Sequence, residues 1–268
     1  MSISRKRADA FTLIELLVVI AIIGLLASVV IVSVNDAREE ARIKGAMQFE
    51  QSLFNAVGYG AIGIWDFEEG SGTTAGDRSG FENDGTISGA TWVANDELGG
   101  YALQFNGSSS LVQVPNAPSL AATNTLTISA WINAETPLRD FLSRAWNVWR
   151  VILNEGGANN VKVVQRIGIS DVTTLSENNA IKPGKWQFIA YVYDGSTTQI
   201  YVDGKKSGPA VAASGSVATS SSPVLIGGWN VRRFKGSIDN VRVFEEALSA
   251  QAVEKIYVQE AQNYLAAE

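Results

Sequence analysis

Trp186–Gly204 reads WQFIAYVYDGSTTQIYVDG, and this stretch carries the fold in miniature. Phe188 to Tyr193 is dense in aromatic and β-branched residues, the composition that suits a pleated, half-buried strand. Asp194-Gly195 breaks the run. Asp203-Gly204 closes the next one, so QIYV and the following KKSG read as a hairpin. The same texture recurs outward on both sides, in LVQV (111–114), TLTISAWI (125–132), VKVVQRIGI (161–169), PVLIGGW (223–229) and IDNVRVF (238–244). Between these runs Gly, Ser, Thr, Asn and Asp cluster, with Asn106-Gly107 as a further turn signal. Many short strands at regular spacing predict an antiparallel sandwich or barrel. From Ser249 onward the pattern changes to a short helix, with Ser249 as N-cap and Val253, Ile256 and Tyr257 turned inward.

The chain before this region has a different composition. Residues 1–10, MSISRKRADA, are basic through Arg5, Lys6 and Arg7. Residues 11–34, FTLIELLVVIAIIGLLASVVIVSV, hold one charge, Glu15. As a helix this run spans about 36 Å, enough for a bilayer core of about 30 Å. Basic residues ahead of it predict a cytoplasmic N-terminus, with the bulk of the chain across the membrane. Residues 35–57, NDAREEARIKGAMQFEQSLFNAV, contain no Pro and continue the helix, supported by pairs such as Glu40 with Lys44. Gly58 and Gly60 end it. The expected fold class is therefore α+β: a long N-terminal membrane and stalk helix, an antiparallel β-sandwich, and a short C-terminal helix.

Three readings fit the N-terminus. A cleaved secretory signal calls for a shorter apolar region and a small-residue cleavage site. A plain single-pass anchor leaves Glu15 unexplained, because a lone carboxylate at depth costs about 2–3 kcal/mol. The third reading rests on the gapless run Arg5-Lys6-Arg7-Ala8-Asp9-Ala10-Phe11-Thr12-Leu13-Ile14-Glu15, which resembles the signal of type IV prepilins and pseudopilins. That resemblance implies a leader over 1–10, cleavage by a prepilin peptidase between Ala10 and Phe11, and N-methylation of Phe11. It also implies assembly of residues 11–57 with identical or related subunits by inner-membrane machinery. Ala10 stands where the family more often has Gly. The family's frequent mid-helix Pro is missing, and Gly24 is the one weak helical position. Glu15 would neutralise a neighbouring subunit's N-terminal ammonium inside an apolar bundle, where an unpaired charge is costly and a paired one sets register.

A second resemblance covers about 62–257. Ile64-Trp65-Asp66-Phe67-Glu68-Glu69-Gly70, Ala102-Leu103-Gln104-Phe105-Asn106-Gly107, Tyr201-Val202-Asp203-Gly204-Lys205 and Phe234-Lys235-Gly236-Ser237-Ile238-Asp239-Asn240-Val241 are similar to laminin-G-like, concanavalin A-like jelly rolls. The resemblance implies two antiparallel sheets packed face to face, with residues 258–268 as a helix end and tail.

Composition narrows the chemistry. The 268 residues include no Cys and no His, so disulfides, thiolate or imidazole metal sites and a Ser-His-Asp triad are excluded. No carboxylate pair at glycosidase spacing stands out, and an enzyme is not expected. Formal charge is −6, and removing Arg5, Lys6, Arg7 and Asp9 takes it to −8, so nucleic acid is not an expected partner. A calcium ion is the candidate cofactor: the loop 77–85 is rich in oxygen donors, and related modules pair a first-loop Asp with one near the last strands, here Asp77 and Asp239, with Asn83 between. The alternative is that Asp77 and Asn83 cap turns. Trp146, Trp149 and Trp229, close to Arg232 and other arginines, are candidates to stack on a surface glycan or meet a protein. Trp65, Trp131 and Trp186 read as core.

The expected function is a pilin-like filament subunit. It would wait in the cytoplasmic (inner) membrane and then display its head on the cell surface. The alternatives are a pseudopilin of a type II secretion-like system and a membrane-anchored carbohydrate-binding adhesin.

Overall fold

A computed structural model of the chain describes residues 60–135, 139–153, 157–229 and 232–262, together with Leu17, Val18, Ile20 and Ile22. The chain divides into two compact units, Met1–Asn55 and Ala56–Glu268. Ala10, Phe11, Glu15, Gly24 and the continuous helix expected over 11–57 lie outside the described residues. The four positions that are described there are helical, and each apolar side chain is more than half exposed. Among the described residues no helix is long and apolar enough to cross a membrane.

The second unit is an antiparallel β-sandwich. Its strands are, in order, β1 (Ala61–Trp65), β2 (Thr74–Ala75), β3 (Gly85–Ser88), β4 (Thr91–Ala94), β5 (Tyr101–Asn106), β6 (Leu111–Val114), β7 (Leu126–Ala134), β8 (Arg139–Arg144), β9 (Trp149–Leu153), β10 (Val161–Ile167), β11 (Ser170–Leu175), β12 (Trp186–Tyr193), β13 (Thr197–Val202), β14 (Lys205–Ala212), β15 (Val224–Ile226), β16 (Gly228–Trp229), β17 (Arg232–Arg233) and β18 (Lys235–Phe244). The first sheet runs β14-β13-β12-β7-β18-β5-β4, with β1 also on β18. The second runs β11-β10-β9-β8-β15-β6-β3-β2, and β16-β17 form a separate two-stranded ribbon.

Period-two alternation sets what each sheet buries. On β7, Leu126, Ile128, Ala130, Ile132 and Ala134 face the core. On β10, Val161, Val163 and Ile167 do the same, while Lys162, Val164 and Arg166 are half-buried on the outward side. Phe234 joins the two layers: its ring lies 6.2 Å from Phe105 of the first sheet and 6.2 Å from Phe141 of the second.

The C-terminal helix Ala250–Glu260 covers the outward face of the first sheet around β7 and β12. Ser249 Oγ accepts from Ala252 N, the cap expected from sequence, and Val253 and Ile256 are buried. The Tyr257 ring stacks on Trp131 at 5.7 Å, and Trp131 Nε1 donates to Glu260 Oε2 at 2.6 Å.

Register also defines two ends. The chain arrives at Gly60, whose carbonyl accepts from Glu245 N, and Ala61 pairs with Phe244. Phe244 pairs with Thr127, and Leu126 pairs with Tyr193, so these share the arrival end. In the second sheet Ile167 bridges Val217, which bonds Thr123, at the same end. Because Ile152 pairs with Lys162 and with Asp140, those three residues lie toward the opposite end.

Candidate functional site

At that far end the β16-β17 ribbon folds beside β8. Its path depends on two glycines. Gly227 (φ +98) packs so that a Cβ would meet the Phe105 ring at 2.4 Å. A Cβ on Gly228 (φ +109) would lie 2.3 Å from the Arg232 carbonyl and 2.6 Å from that of Asp140. Both positions sit in the left-handed region that L side chains avoid. Gly227 N donates to Phe141 O and Phe234 N donates to Gly227 O, which closes the ribbon.

In this ribbon Trp229 pairs directly with Arg232, so both side chains project on one face. Trp229 is half-buried, and the Arg232 side chain is 37% exposed. Arg232 Nε lies 3.3 Å from Asp140 Oδ1, and Arg150 Nη1 lies 3.5 Å from Asp140 Oδ2. Asp140 is fully buried and Arg150 is 6% exposed. A buried carboxylate is costly without cationic partners, and these two guanidiniums supply them. Ser143, cross-strand from Arg150, is fully buried, and its Oγ has no hydrogen-bond partner. Arg233 Nε is likewise buried without one. An aromatic edge beside a partly exposed guanidinium is a surface of the kind that a polyhydroxylated ligand can meet.

The other expected site residues fall elsewhere. Trp149 is 3% exposed and points into the core with Val151 and Leu153, so it is corrected from ligand candidate to core residue. The Trp146 side chain lies outside the described residues.

The oxygens of the calcium expectation are engaged within the protein itself. Asp77 Oδ1 accepts from Ile64 N and Ser79 N, and Oδ2 accepts from Ser79 Oγ and Asn83 N. Asn83 Nδ2 donates to Ile62 O while its Oδ1 accepts from Ser119 Oγ. Asp239 belongs to a different cluster: Oδ2 accepts from Asn95 Nδ2 and Oδ1 from Asn240 N. Complete burial, reinforced by Glu68 and Glu260, pushes its carboxyl well above the usual range, which favours a proton over a cation. Among the described residues no group of three or more acidic side chains is arranged to hold a metal ion.

Asp140 and Arg150 are the residues that sequence reasoning missed as a pair. The signal for one existed, since an Arg within the apolar strand WRVIL demands a buried counter-charge.

No curated protein matches the sequence. Several solved structures share the fold. Domain 4 of AbnA, a GH43 extracellular arabinanase from Geobacillus stearothermophilus, solved with arabinotriose, is 19% identical with a TM-score of 0.59, covering 74% of this chain and 98% of that one. The binding domain of Paraclostridial Mosquitocidal Protein 1 is 15% identical with a TM-score of 0.62, covering 74% and 52%. The botulinum neurotoxin serotype D ligand binding domain, solved with N-acetylneuraminic acid, is 13% identical with a TM-score of 0.57, covering 74% and 50%. The chain thus spans about half the length of the two toxin domains. Residues 5–31 match the prokaryotic N-terminal methylation motif. Residues 106–254, more than half of the sequence, match the profile described as the concanavalin A-like lectin/glucanases superfamily, and the chain belongs to that superfamily.

Proposed function

We propose that this chain is a type IV pilin-like subunit whose head binds saccharide. The observation that carries the reading is the junction, in one chain, of the methylation motif at 5–31 and the lectin-like sandwich. Residues 1–10 form the leader, Ala10 and Phe11 flank the cut, and residues 11–57 are the membrane helix that later packs in the filament. Leu17, Val18, Ile20 and Ile22 are helical and exposed as apolar side chains, a state that lipid or a helix bundle would relieve. Glu15 pairs with a neighbour's ammonium.

Residues 62–257 form the displayed head. Its ligand surface is Trp229 with Arg232, at the end of the sandwich away from where the chain arrives. The sugars bound by the arabinanase domain and the neurotoxin domain make saccharide the ligand class to test.

Two measurements test the reading. Mass spectrometry of the native protein is expected to find a chain that begins at methylated Phe11; a native chain that retains Met1 would overturn the filament role. Saccharide arrays probed with the full chain are expected to show binding that Trp229→Ala abolishes while thermal stability is kept.

A further inference from the structure

Charge in the head is divided between the two lateral edges of the sandwich. In the first sheet β4 and β14 are the terminal strands, and in the second β2 and β11 are. Residues 66–100, which hold β2, β4 and the loops around them, carry eight acids against one base, Arg78, and Arg78 pairs with Asp66. Glu69, Glu82, Asp84, Asp96 and Glu97 are exposed there. The other edge is basic. Lys205 and Lys206 open β14, Lys182 and Lys185 stand in the loop before β12, and all four are exposed. The acids beside them are Asp203, whose carboxylate accepts from Phe188 N and Gln187 Nε2, and Glu177, whose N donates to Ser207 Oγ. Four lysines against two carboxylates leave this edge positive. On the C-terminal helix Glu254 and Lys255 are both exposed and offset each other.

Register places the two patches at nearly one level. Lys206 pairs with Tyr201, Tyr201 with Ala190, Ala190 with Ser129 and Ser129 with Arg242. On the other side of β18, Ile238 pairs with Leu103, so Tyr101, next to the 95–100 turn, lies level with Asn240. Six strand spacings separate β14 from β4, roughly 29 Å. Exposed apolar side chains follow the same division. Of five large ones on the described head, Phe81 and Tyr101 belong to the acidic edge, Ile169 and Leu175 to the other, and Val258 to the helix. The Tyr101 ring covers Gly70, beside Glu69, and the Leu175 carbonyl crowds Gly208, two residues from Lys206.

We infer that heads associate side by side, the lysine edge of one against the acidic edge of a second copy of this chain. Apolar side chains framed by opposite charges have the composition of a protein interface. The two edges differ, so the contact is heterologous and passes from one subunit to the next rather than closing as a two-fold pair. Lysines on an edge strand also deter strand pairing. That role accepts charge of either sign, whereas association requires the sign to be positive. The inference goes beyond the filament reading, since it names which surfaces of the heads meet, and it does not involve the saccharide surface.

The test uses the full chain in phosphatidylcholine vesicles, treated with a carbodiimide that joins a carboxylate to an amine only where they touch. A mixture of light- and heavy-isotope chains identifies links between copies by mass. Links from Lys205 or Lys206 to Asp96 or Glu97 are expected, and one chain cannot form them across roughly 29 Å. Their yield should fall severalfold as salt is raised from about 50 to about 500 mM. Lys182→Glu with Lys185→Glu leaves the linking amines in place and should lower the yield about tenfold. Reversing both edges in one chain, by Lys205→Glu, Lys206→Glu, Asp96→Lys and Glu97→Lys, should restore the links with amine and carboxylate exchanged; circular dichroism checks that each variant is folded. No such links between copies, or links indifferent to salt and to the Lys182 and Lys185 changes, would overturn the inference. Chains that begin at methylated Phe11 and form filaments without these links would overturn it and leave the filament reading standing. Links in a native chain that retains Met1 would support it while the filament role falls.

Discussion

Replacing Glu260 by Ala should loosen the C-terminal helix and destabilise the head. Glu260 is where the helix is tied to the sheet: Oε2 accepts from Trp131 Nε1 at 2.6 Å, and the carboxylate pairs with the Arg242 guanidinium. The two side chains are only 5% and 7% exposed. Burial pushes the Glu260 carboxyl up, against Arg242 and the Trp131 indole, which pull it down. Removing the carboxylate leaves a guanidinium buried without its charge partner, a loss of about 3–5 kcal/mol. The 11-residue helix cannot compensate alone, because isolated helices shorter than about 12–15 residues are marginal in water.

At about 2–4 °C per kcal/mol for a domain of this size, the unfolding midpoint should fall by about 6–20 °C. The assay is thermal unfolding of the unit 56–268, followed by circular dichroism and by tryptophan fluorescence, which reports Trp131. Glu260→Gln keeps an acceptor for the indole and should lose less. The double change Arg242→Met with Glu260→Leu should recover much of the loss, since apolar residues of similar volume remove the desolvation penalty along with the pair. A midpoint shift below about 2 °C for Glu260→Ala, under 1 kcal/mol, would refute the claim that this ion pair anchors the helix.

Acidity should affect the same region. Asp239 has a folded pKa well above its ordinary 3.8, so the native state keeps a proton that the unfolded chain has released. Its contribution is complete below 3.8 and is lost as pH rises through the raised value. Denaturant midpoints of the head should therefore rise as pH drops from neutral into the mildly acid range, and Asp239→Asn should flatten that slope; an unchanged slope would contradict the assignment. Asp194 acts in the opposite sense: four donors from Ser196 and Thr197 depress it to about 2, so its contribution is present above 3.8 and fades toward pH 2. Asp77→Ala should cost about 3 kcal/mol by stranding backbone donors, and excess Ca²⁺ against chelator should leave the wild-type melting temperature where it was; a clear Ca²⁺ shift would restore the metal reading. Gly228→Ala, with its Cβ 2.3 Å from the Arg232 carbonyl, should destabilise by about 3 kcal/mol and abolish saccharide binding on arrays, whereas a stable, fully binding variant would remove the ribbon from the site.

Much of the sandwich was legible because one face of each strand must meet the core. LTISAWI announced the buried set on β7, and Ser249 announced the helix cap. The errors came where a neighbour that is remote in sequence decides the outcome. In WRVIL, strand alternation groups Trp149 with Val151 and Leu153, so its core position was readable once the segment is taken as a strand. The partner of Arg150 was not readable. Asp140 sits ten residues earlier, across a bulge between Asp140 and Leu142 that breaks simple counting. Asp77 shows the same limit: an oxygen-rich loop is compatible with a cation or with its own backbone donors, and only the folded path of Ile64 and Asn83 shows that the donors are backbone.

Trp131 carries this reasoning to the site itself. Alternation on β7 puts it on the outward side with Thr127 and Ser129, yet it is fully buried, because the C-terminal helix lies across that face. Tyr257 and Glu260 occupy the aromatic and polar groups that a ligand would otherwise use. The part of the first sheet's outward face around β7 and β12 is therefore covered by its own chain. On the β16-β17 ribbon beside β8 an aromatic lies next to a partly exposed cation, Trp229 with Arg232. If the head binds a ligand through an aromatic–guanidinium pair, covering Trp131 directs that binding to the ribbon, at the end farthest from Gly60. The same residue, Glu260, that holds the helix down is thus what keeps Trp131 from competing as a ligand platform. Glu260→Ala should uncover Trp131 and leave Trp229-dependent binding in place wherever the head remains folded.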